Sequence, residues 1–277
     1  MTYVDLHSHT IYSDGDLTPE EVLRRMKEKG IEAGAITDHD AMGGYFKAKE
    51  EAKQLGIRLI PGVEVTSPDY HILGLGIDDE SEQFKKFLAH SRHVQEDVCA
   101  RRIERLQEIG MPITLEKVRA LYPEARLGKL NILGTMFADP ACKEYLQEHT
   151  PTLTKEESFK YYLKRQAKIP WIKGAAIDDE IIIREIHAAG GIAVIAHPFK
   201  DVKDMKELEL LVEKGLDGIE MQPNYGDRNI PFVDFAREKN LLITYGSDYH
   251  GDWKKTRPLL GRGINQMDLE KLLFAYK

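Results

Sequence analysis

The stretch VDLHSHTIYSDGDLTPEEVLRRMKEKGIEAGAITDHD, residues 4–40, reads as one complete strand–helix–strand unit. Tyr3 to Leu6 begin a short apolar strand. Residues 17–30 then carry helix signals at both ends: Thr18 as N-cap, Pro19 at the first helical position, Glu21 where a capping box wants it, and Gly30 as the stop. Val22, Leu23 and Met26 give that helix one apolar face. A second strand, EAGAITDHD, follows. Both strands run out into groups that bind protons and metals: His7, His9, Asp14 and Asp16 after the first, and Asp38, His39 and Asp40 after the second.

The unit repeats along the chain. A helix over 44–56 leads to a third strand, IRLIPGVEVTS (57–67). Only PDY separates it from a fourth, HILGLGID (71–78). A parallel crossover needs about a dozen residues or more, so strands three and four form a hairpin, which sets His71 beside Glu64. Residues 80–110 read as one long polar helix, and helical segments without a convincing strand continue to about Ile172. Alternation then resumes with helix 177–191, strand IAVIAHP (192–198), helix 203–215, strand LDGIEMQ (216–222), helix 230–240 and strand LLITYGSDYH (241–250). Seven strands alternating with helices predict an α/β fold, most simply a barrel. The expected domains are a discontinuous barrel, 1–79 with 173–277, and an inserted helical cap, 80–172.

Composition narrows the function classes. The 277 residues carry a formal charge of −7, which disfavours general binding of duplex DNA. The two cysteines, Cys99 and Cys142, lack metal-finger spacing and read as free thiols in a reducing compartment. The N-terminus has no signal-peptide pattern, and no apolar run approaches the roughly 18 residues of a membrane span. The expected location is cytoplasmic, with no membrane partner.

The ligand-type residues gather at strand ends. Strand one ends in His7 and His9, strand two in Asp38 and His39, strand three in Glu64. Strand four starts with His71, strand five ends in His197, strand six in Glu220, and strand seven in Asp248 and His250. Barrel active sites lie at the C-terminal ends of the strands, and six of the ten histidines fall at this rim. One histidine at a strand end is more often structural than a ligand, and "TDHD" alone reads as a turn. Repetition from independent strands is what turns explain badly. Alternate residues of a strand face one side, so His7 and His9 can grip one ion. Imidazole with carboxylate and no thiolate suits Mn, Fe or Zn, and a carboxylate such as Glu64 can bridge two ions. His90 and His93, on the polar helix, read as a solvated face. His149 and His187 suggest no partner. Asp16 reads as loop or helix entry, and Ser247 is not a serine-hydrolase nucleophile.

The segments DLHSHTIYSDG, TDHD, GVEVTS, AHP and GSDYH resemble, in order, the successive motifs of the polymerase and histidinol phosphatase (PHP) family, over about residues 3–77 and 175–263. The resemblance implies a distorted (β/α)7 barrel and nine ligands. His7, His9 and Asp248 would hold one ion, with Glu64 bridging to a second. His71 and His197 would complete the second site, and Asp14, His39 and His250 the third. It implies two to three divalent ions, Mn first and Zn or Fe next. The insertion and the GSDYHG ending look most like family members acting on nucleoside 3′,5′-bisphosphates and short RNA ends. Where those carry an R-P-H-I-A-like stretch touching substrate phosphate, this chain has GKLNIL. Lys129 stands at the Arg and Asn131 at the His, with Arg126 as a second candidate.

The expected activity is hydrolysis of phosphomonoesters of nucleotides or short oligonucleotides by a metal-bound hydroxide, with Asp38 or Asp40 as possible proton carriers. Histidinol-phosphate phosphatase and cyclic phosphodiesterase are the alternatives within the family. A non-catalytic metal-binding module is the alternative from another class.

Overall fold

The computed structural model describes residues 2–165, 177–252 and 261–264. In chain order its elements are β1 (Thr2–Asp5), α1 (Pro19–Glu28), β2 (Ala33–Ile36), α2 (Gly43–Leu55), β3 (Arg58–Thr66), β4 (His71–Leu75), α3 (Glu82–Glu108), α4 (Leu115–Leu121), α5 (Lys129–Ala138), α6 (Pro140–His149) and α7 (Lys155–Ser158). After these come α8 (Asp179–Ala188), β5 (Ile192–Ile195), α9 (Pro198–Asp201), α10 (Met205–Glu213), β6 (Gly218–Met221), α11 (Ile230–Glu238), β7 (Leu242–Tyr245) and β8 (Arg262–Ile264).

Local chemistry explains the first unit. Thr18 Oγ1 accepts from the Glu21 amide at 3.3 Å, and Glu21 Oε2 accepts from the Thr18 amide at 2.8 Å, closing the capping box. Val22, Leu23 and Met26 are buried on one face of α1 and join Ile36, Ala48 and Ala52 in an apolar layer between the helices and the sheet. Inside the sheet a second cluster, including Val4, Leu6, Ala35, Ile60, Leu73 and Val194, fills the barrel.

The strands run in the order β7-β6-β5-β4-β3-β2-β1-β8. β1, β2 and β3 are parallel, as are β5, β6 and β7. β4 is antiparallel to both β3 and β5, and His71 pairs with Thr66 in the hairpin register. Within the seven-strand barrel, β4 therefore begins at the rim where the other six end. β1 and β7 approach each other at a seam: Leu6 N donates to Tyr245 O at 2.9 Å, His9 N donates to Tyr249 O at 2.8 Å, and Ser8 bridges Tyr249. Seven strands make this nearly closed barrel. The eighth, β8, was not expected; it adds antiparallel to β1, and three residues are too few to show a period. Two short helical elements were also not expected: α9, too short to show a period, and a 3₁₀ segment at Pro223–Asn229 broken at Gly226.

Two compact units result, one of Met1–Ser91 with Ile177–Lys277 and one of Arg92–Ala176. The division falls inside α3, because Phe84 and Leu88 join the barrel's outer apolar cluster and Ser91 Oγ donates to Asp40 Oδ1 at 2.7 Å. The return at residue 173 lies outside the described residues. The second unit has its own core, including Ile103, Leu106, Ile113, Ile132, Leu133 and Met136, with both cysteines buried in it as free thiols. Among the described residues no helix is long and apolar enough to cross a membrane.

Candidate metal centre

Glu64 stands at the middle of the rim, fully buried. Its Oε1 lies 3.0 Å from His71 Nδ1 and 3.0 Å from His197 Nε2. Its Oε2 lies 3.3, 3.2 and 3.1 Å from His7 Nε2, His9 Nε2 and His39 Nδ1. Asp248 Oδ1 sits 3.7 and 3.4 Å from the Nε2 atoms of His7 and His9, and 3.4 Å from His250 Nδ1. Asp14 Oδ1 is 3.3 Å from His250 Nε2 and 3.6 Å from His9 Nδ1, while its Oδ2 is 3.9 Å from His39 Nε2. All nine sequence candidates thus meet in one place.

Their ligand atoms form three overlapping groups: His7, His9, Glu64 and Asp248; His9, Asp14, His39 and His250; His39, Glu64 and His71. The partition differs in detail from the one the resemblance implies. His9 and His39 each fall in two groups, and His197 joins through Glu64 alone.

The donor set fits divalent ions. Two ligands about 2.1 Å from one ion are about 3.0 Å apart in octahedral and about 3.4 Å apart in tetrahedral geometry. The 3.1 Å between His7 Nε2 and His9 Nε2, and the 3.2 and 3.3 Å from these to Glu64, have that length. Buried Glu64 Oε2 and Asp14 Oδ1 accept no hydrogen bond, a state costly for a carboxylate oxygen unless a cation satisfies it.

Electrostatics agree. Burial resists charge on His7, but Glu220 and Glu64 overcome it and push the imidazole up to about 10. Burial would likewise raise Glu64, yet His39, His7 and His71 hold it well below the carboxylate range. His250 and His39 do the same for Asp14. The pocket is built to keep carboxylates ionised next to positive charge.

A supporting layer orients the rings. His7 Nδ1 lies 2.7 Å from Glu220 Oε1, so Nε2 faces inward; Glu220 Oε2 also accepts from the His197 amide at 2.8 Å. His197 Nδ1 lies 3.1 Å from Asp201 Oδ2, and His250 Nδ1 lies 2.7 Å from the Asp248 carbonyl. Partners of this kind fix the tautomer a metal needs. Asp201 was missed in the sequence; its signal was its place four residues after His197, visible only once α9 exists. His197 and Asp248 hold positive φ of 32° and 54°, uncommon for non-glycine residues and of the kind stored at functional sites.

The seam is equally tight. A Cβ on Gly246 would come 2.3 Å from both Glu220 Oε1 and His7 Cβ. Gly246→Ala is expected to fold but to bind Mn²⁺ about 10–100-fold more weakly, measured by titrating metal-free protein; wild-type affinity would show that the His7–Glu220 spacing is not critical.

Asp38 and Asp40, expected as proton carriers, both accept hydrogen bonds from neighbouring loops and helices. Asp38 accepts from the Thr10 amide at 2.7 Å, Thr10 Oγ1 at 2.6 Å and Ser13 Oγ at 2.6 Å. Asp40 accepts from the Thr66 amide and hydroxyl and from Ser91. Both tie loops together. Asp16 Oδ1 accepts from the Asp252 amide at 3.1 Å, fastening the loop that carries Asp248 and His250. The Ser247 hydroxyl is buried toward the His7 carbonyl at 3.5 Å. His187 and His149 have partners after all, Asp217 at 2.7 Å and the Tyr145 carbonyl at 3.0 Å, and both are structural. Lys129 opens α5 and Arg126 is buried, both in the second unit; Asn131 Oδ1 accepts from the Gly128 amide at 2.8 Å and so serves as a helix cap.

Known proteins resemble this chain over most of its length. The PHP domain profile matches residues 5–164, more than half of the chain. A 5′-3′ exoribonuclease of Haemophilus influenzae is 30% identical over 256 residues, covering 89% of each chain. A phosphoribosyl 1,2-cyclic phosphate 1,2-diphosphodiesterase of Eggerthella lenta is 30% identical over 89% of this chain and 94% of its own. A 3′,5′-nucleoside bisphosphate phosphatase of Chromobacterium violaceum is 30% identical over 90% and 88%. Among solved structures, a candidate metal-dependent phosphoesterase from Bifidobacterium adolescentis superposes with a TM-score of 0.83 at 26% identity, covering 98% of this chain and 96% of that one. Likeness of this extent means that the chain belongs to the PHP domain family and is a metal-dependent hydrolase of phosphoester bonds.

Proposed function

We propose that this enzyme removes phosphate from nucleoside 3′,5′-bisphosphates or from short RNA ends. The observation that carries the reading is the set of three overlapping His/carboxylate groups sharing Glu64, His9 and His39. His7, His9, Asp14, His39, Glu64, His71, His197, Asp248 and His250 are the proposed ligands for two to three ions, Mn²⁺ first, with Zn²⁺ or Fe²⁺ as alternatives. Bound ions at such a centre lower the pKa of water and offset charge on phosphoryl oxygens.

The chain's own part is placement. Glu220 and Asp201 orient His7 and His197, Asp38 and Asp40 brace the loops, and the buried carboxylates hold the site's negative charge ready for cations. Lys129 and Arg126 are proposed phosphate contacts; a lysine binds phosphate as a point charge, without the fork of an arginine. The exoribonuclease and bisphosphate phosphatase names of two relatives support a nucleotide substrate. A second reading, cyclic phosphodiesterase, rests on the Eggerthella lenta relative.

The experiment is a Mn²⁺-supplied panel of adenosine 3′,5′-bisphosphate, a 5′-phosphorylated short RNA, a cyclic phosphate ester and histidinol phosphate. The bisphosphate or the RNA is expected to have the highest kcat/KM, by at least about tenfold, a difference of about 1.4 kcal/mol in transition-state binding. Preference for the cyclic ester or histidinol phosphate would overturn the nucleotide reading while leaving the metal chemistry in place.

A further inference from the structure

We propose that Lys200 is a positioning residue for the metal centre, dividing the two oxygens of Asp248 so that only one faces the ligand cluster. Lys200 lies on α9, the single turn that begins directly after His197. Its Nζ donates to Asp248 Oδ2 at 2.7 Å. The other oxygen, Oδ1, is the one within 3.4 Å of His9 Nε2 and His250 Nδ1 and within 3.7 Å of His7 Nε2.

Asp248 needs such help. It sits beyond the end of β7 at a φ of 54°, an uncommon conformation for a non-glycine residue. Its side chain is nearly buried while that of Lys200 is 24% exposed, so the ammonium reaches in from the solvent edge. A carboxylate with both oxygens available can swing or bind an ion through both. An ammonium on one oxygen leaves the other as the single inward donor. The same short helix also carries Asp201, which orients His197. One turn of helix therefore steers two of the proposed ligands, His197 after β5 and Asp248 after β7.

This proposal rests on the metal reading above and makes a signed claim. As a bare positive charge beside a cation site, Lys200 would oppose metal binding, and its removal would tighten it. As a positioning group, its removal loosens it. The test is calorimetric titration of metal-free wild type, Lys200→Met and Lys200→Arg with Mn²⁺, with circular dichroism as the folding control. Lys200→Met is expected to bind at least one Mn²⁺ about 10–100-fold more weakly, and Lys200→Arg to recover to within about threefold of wild type. At saturating Mn²⁺ the KM of Lys200→Met for p-nitrophenyl phosphate is expected to stay within about twofold of wild type. Unchanged or tighter Mn²⁺ binding by Lys200→Met overturns the proposal, as does a KM that stays raised at saturating metal, which would make Lys200 a substrate contact. A wild type that takes up no Mn²⁺ overturns the metal centre itself, an outcome distinct from failure of Lys200 alone.

Discussion

Glu64→Gln is expected to lower kcat/KM by about 10³-fold or more while the chain stays folded. The substitution keeps the shape of a fully buried side chain and removes its charge. That charge faces five imidazoles, two on one oxygen and three on the other. Both of its oxygens are thus engaged by proposed ligands. An amide cannot bridge two cations, and its NH₂ group would point donors at ring nitrogens meant to hold a metal. Transition-state stabilisation by a metal ion is worth several kcal/mol, and each 1.36 kcal/mol is a factor of ten. Metal analysis should show at least one ion fewer per chain. A Glu64→Gln protein with wild-type metal content and turnover would place the chemistry elsewhere.

Removing the metal is expected to abolish turnover and lower the melting temperature of the barrel unit by several degrees. Ligands held at about 1,000 times their dissociation constant contribute about 4 kcal/mol to a folded state, and the effect per kcal/mol is about 2–4 °C for units of this size. Proton competition sets the pH dependence. In the metal-free protein His7 retains its proton up to about 10, because Glu220 and Glu64 outweigh the effect of burial. An incoming ion must displace that proton, so uptake weakens as pH falls and strengthens as pH rises. Scanning calorimetry with and without chelator, at pH 6 and pH 8, measures both effects. Equal melting temperatures with and without chelator would contradict a structural contribution from the ions, and stronger uptake at pH 6 than at pH 8 would contradict the proton competition.

The parts of this site that were legible in the sequence are the local ones. Strand ends announce themselves by apolar runs meeting His, Asp or Glu, and a three-residue link between strands three and four forces the hairpin that brings His71 to Glu64. The orienting layer could not be read this way. His7 and Glu220 are 213 positions apart, and nothing near either one marks the other as its partner. Asp38 and Asp40 show a different limit. They share the composition of the proposed ligands, but their carboxylates accept hydrogen bonds from Thr10, Ser13, Thr66 and Ser91. The residue types fit the rim, and only the fold brings in these donors from other segments. β8 and α9 escaped because elements of three and four residues carry no periodicity.

The seam between β1 and β7 gives the metal a second role. These strands meet through a few hydrogen bonds beyond their regular ends, whereas the other neighbours share ladders. On one side stand His7 and His9, near the start of the chain; on the other stand Asp248 and His250, near its end. An ion held by the proposed ligands His7, His9 and Asp248 would be a cross-link closing a loop of some 240 residues. In hydrogen-exchange terms, the amides of Leu6, His9 and Tyr249 become the metal's reporters: protected when it is bound, and among the first to open when it is withdrawn.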